Sequence, residues 1–433
     1  MSPTLVAILG IVLMFALMML RVPVSFAMLI AGVVGNALML NASVSLHMLA
    51  TNVWSQFSSY SLSVVPMFVL MGQIAFHSGV TERLFNAAQK WVGRLPGGLA
   101  GTTVLAAMGF GAICGSNSAT TATMGTIALP EMKRHNYDRA LSTGVVSIGG
   151  TLGVVVPPSV VLIIIAVQTE QSITRLFLAS IVPAVLVTLL LLATVFVLCL
   201  RNPALGPRAE VTTLKEKMVS LLGVIEVLVL FVLVIGGMYA GWFSPTEAGA
   251  AGAFGALLIG VARRKLSLKG LIQAAGETLR TTGMVFLLIT GAVLFGRFLT
   301  VTRLPFTIAE WASALPIPAL GVLVVVLLIF LIGGALMDAL GFLVVTIPIF
   351  FPLGLALGFD PVWFTVILTL ITTMGAVTPP VGVNVFVVSA LAPDVPIHTI
   401  FRGTMVFLIA YVLAIALLMI FPQLAVMLPN SML

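Results

Sequence analysis

The chain has 433 residues, 60% of them hydrophobic and 8% charged, with a formal net charge of +7. Soluble domains carry about 25% charged residues, and a globule this apolar could not cover its surface with polar groups, so a soluble fold is excluded. The basic residues stand in short clusters between apolar runs, as cytoplasmic loops do, so the positive charge is not a nucleic-acid signal.

Apolar runs of helix length fall at 3–20, 22–40, 61–77, 138–170, 173–200, 219–238, 243–262, 283–300, 361–391 and 400–427. They predict an all-α polytopic membrane protein. The first run has no basic residue before it and Arg21 after it, so it reads as a retained span rather than a signal peptide. The stretches TERLFNAAQKWVGRL (81–95) and LPFTIAEWASAL (304–315) are too charged to span and are predicted to lie along the interface. Segments 97–131 and 317–352 are different. Each holds two apolar runs of about 15 residues, separated by ICGSNSATT or GGALMDA, and a run that short does not cross the hydrocarbon. They predict two re-entrant hairpins, tolerated where protein or a water-filled cavity shields the backbone.

The chain also repeats itself. At an offset of 222, Gly111 pairs with Gly333, Pro130 with Pro352, Asp138 with Asp360, Thr143 with Thr365, Thr151 with Thr373, Gly153 with Gly375, and Pro157–Pro158 with Pro379–Pro380. At an offset of 220, Trp91 pairs with Trp311 and Leu95–Pro96 with Leu315–Pro316. The organisation expected is 1–60 scaffold helices; 61–200 a first repeat, with its hairpin at 97–131 and a broken helix at 138–170; 201–282 connecting scaffold helices; and 283–433 a second repeat, with its hairpin at 317–352 and a broken helix at 361–391. The first hairpin is flanked by Arg83, Lys90, Arg94, Lys133, Arg134 and Arg139, the second by Arg303 alone. With positive residues inside, the two copies are inverted, the basic loops 201–217 and 263–269 are cytoplasmic, and both termini are outside. Inverted repeats with broken helices mark a secondary transporter.

Residues 148–161 (IGGTLGVVVPPSVV) and 370–383 (LITTMGAVTPPVGV) place a double proline inside an apolar run. Proline removes a backbone donor and blocks the preceding turn, leaving carbonyls and amides that need partners. Exposed carbonyls coordinate cations and half-helix N-termini favour anions, so each break is expected to meet the tip of its hairpin around one central cavity. Two carbonyl-rich breaks suggest two sodium sites. The first would use Ser116, Ser118, Gly150, Gly153 and Pro157, and the second Gly334, Asp338, Thr372, Thr373, Gly375 and Thr378. An anionic substrate would lie between them on hairpin-tip amides and on Ser116, Asn117, Ser118, Thr120 and Thr121, with Asn384 at the end of the second motif.

Plainer readings stand beside these. The proline pairs could be simple kinks, and the tip serines ordinary interhelical hydrogen bonders. Asp338 could be a cation ligand or a helix cap, while Asp138 and Asp360 read as caps and Ser244–Glu247 as a capping box. Glu226, Arg280 and Arg297 fall in or near spans, where Arg297 could simply snorkel to the interface. His77 and His135 sit near span ends, and Cys114 and Cys199 make neither a metal spacing nor a disulfide framework.

The motifs GSNSATTATMGTIALPEM, GGTLGVVVPPS and TTMGAVTPPVGVN, in this order, resemble the large membrane subunit of the tripartite ATP-independent periplasmic (TRAP) transporters, over nearly the whole chain. The resemblance implies an elevator-type, sodium-coupled importer of organic acids, of the C4-dicarboxylate or sialic and sugar acid type. Its partners would be a small four-helix membrane subunit and a periplasmic substrate-binding protein, in a bacterial inner membrane. The small subunit is expected as a separate chain. The hairpins and broken helices would form the moving part. No cofactor is implied beyond sodium as coupling ion, and no nucleic acid. No phosphate-binding loop, Gly-x-Ser-x-Gly or His/Cys cluster occurs, so an enzyme is not expected. A self-sufficient sodium/anion transporter of similar build is the alternative, and a channel the more distant one.

Overall fold

The computed structural model describes residues 2–208, 212–314 and 316–431. Leu315, the partner of Leu95 in the repeat, and residues 209–211 of the basic loop lie outside them. Every regular element among the described residues is helical. Seven helices are long and apolar enough to cross a membrane, or nine if each of two bent pairs is one span. The protein is a multi-pass membrane protein, and large apolar side chains such as Leu228, Phe254, Leu258 and Leu279 are exposed on the outside, where lipid takes the place of a protein core.

Three elements differ from their sequence expectation. A helix at Ala42–Phe57 was not among the apolar runs, and it joins Ser61–His77 at a 57° bend. Its polar residues diluted the hydropathy, yet Ser45 and Asn52 are buried while Leu46 and Trp54 face outward. Ser45 donates to the Val33 carbonyl at 2.7 Å, polar packing of the kind membrane interiors use. The run at 283–300 is the second half of a 34-residue helix, Leu268–Val301, capped by Ser267, which accepts from the Gly270 N–H at 3.0 Å. Its first turns carry Lys269, Glu277 and Arg280 and so escaped a hydropathy window. The final run divides into Ile397–Met405, Leu408–Ile420 and Gln423–Asn430, the last set off by Pro422.

The hairpins are Gly98–Cys114 with Asn117–Arg134, and Ala319–Leu336 with Ala339–Ala356. The arms are 17 or 18 residues, longer than expected, because most of the polar separator is itself helical. Asn117 and Ser118 open an arm, and Gly333 and Gly334 lie inside one, leaving only Gly115–Ser116 and Met337–Asp338 as turns. By length and composition alone both arms of the second hairpin could span. The first broken helix runs Arg139–Gly150, Leu152–Val155, then Val160–Gln168 after the break. The second runs Pro361–Gly375, then Val383–Leu391. Asp138 accepts from the Leu141 N–H and Asp360 from those of Val362 and Trp363, so both are caps. Ser244 and Glu247 form the capping box.

The long helix packs against Val24–Met39 and Val64–His77. A Cβ on Gly32 would lie 3.0 Å from the Leu294 carbonyl carbon, so these helices touch backbone to backbone. Near the basic loops, the buried Glu226 carboxylate receives Arg83 at 2.6 Å and Arg263 at 2.7 Å, pinning the interfacial helix Val80–Val92 to two neighbours.

Candidate functional site at the hairpin tips

Each hairpin tip is seated on a helix break. In the first, Gly115 takes a left-handed φ of 65° and Ser116 is extended, so the chain reverses within two residues. A Cβ on Gly115 would lie 2.9 Å from the Pro158 carbonyl oxygen. Gly153 faces the Ser116 carbonyl and the Thr120 hydroxyl, and Gly150 faces Thr121. In the second, Gly334 faces the Thr372 carbonyl, and a Cβ on Gly375 would lie 2.6 Å from the Gly334 carbonyl carbon. The Gly382 N–H donates to the Ala335 carbonyl at 3.0 Å, closing the hairpin arm onto the break. The first break is buried throughout, whereas Pro379 and Pro380 of the second are exposed.

The oxygens at these contacts suit a small hard cation: neutral carbonyls and hydroxyls, with no thiolate or imidazole among them. Thr372, Thr373 and Thr378 donate their hydroxyl protons back to the Leu368, Thr369 and Met374 carbonyls at 2.7, 2.6 and 2.8 Å. A hydroxyl held this way keeps its lone pairs for a further partner. Near the first break, the buried Thr120 and Ser159 hydroxyls have no hydrogen-bond partner. The motif GGTLGVVVPPS ends on Ser159, a residue that sequence reasoning passed over.

Between the tips lies a cavity of about 590 Å³. The first tip contributes Gly115, Ser116, Asn117 and Ser118, and the second Asp338, Leu340 and Gly341. The opposite wall is Val24 and Ser25, Gln73 and Phe76, and Glu277, Thr281, Met284 and Leu288 of the long helix. The cavity thus brings together Ser116, Asn117, Ser118 and Asp338 of the expected site residues. It does not collect Thr120, Thr121 or Asn384. The two threonines turn toward Gly153 and Gly150, against the first break and outside the cavity lining. Asn384 is buried against Arg139–Gly150, where its side-chain N–H donates to the Ser147 carbonyl at 3.2 Å. Asp338 lines the cavity, and it caps Ala339–Ala356 by accepting from the Leu340 N–H at 3.1 Å.

The two tips differ electrically. Both are helix N-termini, which carry free N–H groups and a partial positive charge. The first is capped by neutral Ser116 and begins with Asn117, whose buried amide has neither atom hydrogen-bonded. The second is capped by a carboxylate. An anion is therefore drawn to the first tip and a cation to the second. Glu277, on the far wall, was missed because it precedes the apolar run; its carboxylate lies 3.5 Å from His77.

Other contacts join residues 133–151 to residues 394–411. Thr151 and Tyr411 share a hydrogen bond at 2.5 Å, and Gly144 and Gly403 meet backbone to backbone. Lys133 pairs with Asp394 at 3.0 Å. The ammonium holds the exposed Asp394 carboxyl below its usual range, so the pair is intact at neutral pH and fades as pH falls through the lowered value.

A family model described as the tripartite ATP-independent periplasmic transporter, DctM component, matches residues 11–424. The C4-dicarboxylate TRAP transporter large permease protein DctM of Pseudomonas aeruginosa is 34% identical over 389 residues, covering 89% of this chain and 90% of that protein. The sialic acid TRAP transporter large permease protein SiaM of Vibrio cholerae is 32% identical over 414 residues, covering 94% and 95%. In fold, the Alcanivorax borkumensis YdaH transporter superposes with a TM-score of 0.62 at 16% identity, over 100% of this chain and 99% of that one. These matches run the length of the hairpins, the breaks and the helices around them, and the chain belongs to the DctM family of TRAP transporter large permease proteins: it is a membrane transport protein and not an enzyme.

Proposed function

We propose that the chain is the large membrane subunit of a sodium-coupled, binding-protein-dependent importer of organic acids, working by an elevator mechanism in a bacterial inner membrane. The observation that carries the reading is the pairing of each hairpin tip with a helix break around one cavity. Sodium binds where the Ser116 carbonyl meets Gly153 and where Gly334 meets the Thr372 carbonyl. Ion binding orders the tips and completes an anion site on Ser116, Asn117 and Ser118. The hairpins and broken helices then move as one body against 1–60 and 201–282. The backbone contacts and the Lys133–Asp394 pair that join the repeats support a single moving body. The relatives' names support C4-dicarboxylates or sialic acid as the substrate class. Family membership supports two partners, a small four-helix membrane subunit and a periplasmic binding protein. The basic clusters at 83–94, 133–139 and 263–269 support both termini lying in the periplasm.

The test is uptake of labelled organic acids into proteoliposomes holding this chain and its small subunit, with the binding protein, with and without a sodium gradient. Uptake is expected to require sodium, and to fall by at least about ten-fold in Ser116→Ala and in Asp338→Asn, a loss of ~1.4 kcal/mol or more. Uptake indifferent to sodium and to both changes sinks the reading. Full uptake without either partner favours the self-sufficient alternative.

A further inference from the structure

The cavity carries information about the substrate's charge. Among the described residues that line it, none is arginine or lysine, and two are carboxylates, Asp338 and Glu277. Much of the remaining wall is apolar, with Val24, Val69, Phe76, Phe110, Met284 and Leu288. Helix N-termini without a charged cap line the cavity at the first tip, beside the start of Val160–Gln168, and at Val24–Met39; the first tip adds a buried, unpartnered amide, Asn117. The second tip cannot provide a matching site, since its N-terminus is already capped by Asp338. A ligand with two carboxylates would therefore seat one at the first tip and leave the other with no basic side chain to pair with, against apolar wall or near Glu277. Desolvation opposes the first outcome and like-charge repulsion the second. His77 does not reverse this, because a protonated His77 only neutralises Glu277. Sodium on Asp338 likewise cancels one charge and leaves no excess.

Resting on the proposed import of organic acids, we infer that this permease takes acids with a single anionic group on an uncharged body, and that Glu277 is the residue that excludes a second anion. The remaining polar groups of the far wall, Ser25, Gln73 and Thr281, suit the hydroxyls or amides of such a body. The substrate class is then monoanionic acids, including sugar acids, rather than C4-dicarboxylates.

The binding protein has its own selectivity, so the test leaves it out. Cys114 lines the cavity, and the only other cysteine of the chain is the buried Cys199. In a Cys199→Ser background of the purified membrane complex, cavity occupancy is read as protection of Cys114 from a small methanethiosulfonate, in sodium. Matched pairs isolate charge from size: succinamate against succinate, and gluconate against glucarate. The monoanion of a pair is expected to protect at a concentration about ten-fold lower than the dianion. Glu277→Gln, and independently Glu277→Ala, is expected to narrow that gap to about three-fold or less by improving the dianion alone. Sodium-dependent protection in which the dianions match or beat the monoanions overturns the inference while leaving the proposed function standing. A gap unmoved by both Glu277 variants overturns the role of that residue. Protection by none of the four acids overturns inference and proposed function together.

Discussion

Replacing Gly375 or Gly153 with valine is expected to abolish sodium-driven uptake while leaving the chain inserted and assembled. A Cβ at Gly375 would lie 2.6 Å from the Gly334 carbonyl carbon and 2.7 Å from the Leu331 carbonyl oxygen. At Gly153 it would meet the Ser116 carbonyl and the Thr120 hydroxyl. Most of the obstructing atoms are backbone, so no rotamer change relieves the clash and the tip must lift off its break. Overpacking of this kind typically costs about 1–3 kcal/mol, and a rigid neighbour places it at the upper end. The lifted tip also separates the carbonyls that the ion is proposed to bind. A loss of at least about a hundred-fold in uptake is expected, with normal yield and elution in detergent. Gly276, around which a Cβ meets nothing within 4 Å, is the control, and Gly276→Val there should transport nearly as wild type. Wild-type uptake in both break variants would mean that the tips do not work against the breaks.

Glu226→Ala is expected to act on stability instead. Glu226 is 6% exposed and holds two guanidinium groups, Arg83 at 2.6 Å and Arg263 at 2.7 Å. Removing the carboxylate leaves two like charges side by side with one face buried. Deleting one partner of a buried pair costs about 3–5 kcal/mol, and the partial exposure of both arginines argues for the low end, about 3 kcal/mol. The readout is thermal unfolding of the purified subunit, with Glu226→Gln losing less because the amide still accepts a hydrogen bond. An unchanged melting temperature in Glu226→Ala would show that solvent satisfies both arginines without help.

Much of the fold is legible in the sequence because its determinants are local. Apolar runs report spans, a proline pair reports a break, and the Asp138 and Asp360 caps follow from hydrogen bonds to amides two or three residues away. The missed helix Ala42–Phe57 buries the polar Ser45 and Asn52 while Leu46 and Trp54 face outward, an inverted pattern at those positions. Average hydropathy cannot see that inversion. At the site, Ser116, Asn117 and Ser118 are readable because a turn displays consecutive residues together. Thr120, Thr121 and Asn384 are not, because their direction depends on which helix packs beside them. Glu277 reaches the cavity only through the length of its helix, and the partners of Glu226 lie 143 and 37 positions away.

The length of Leu268–Val301 has one more consequence. At 1.5 Å per residue its 34 residues span about 51 Å, well beyond the roughly 30 Å of hydrocarbon. Its opening turns therefore stand at or outside the headgroup layer, on the same side as Arg263, Arg264, Lys265 and Lys269. The cavity touches this helix from Glu277 to Leu288, in its first two-thirds, so its mouth is near that basic surface rather than at mid-depth. In the orientation proposed above, with basic residues inside, that mouth would face the cytoplasm. Under the proposed import, this geometry would be the releasing half of the cycle. An impermeant thiol reagent should reach Cys114 from the cytoplasmic face and be stopped at the periplasmic one, until a change of state moves the doorway across.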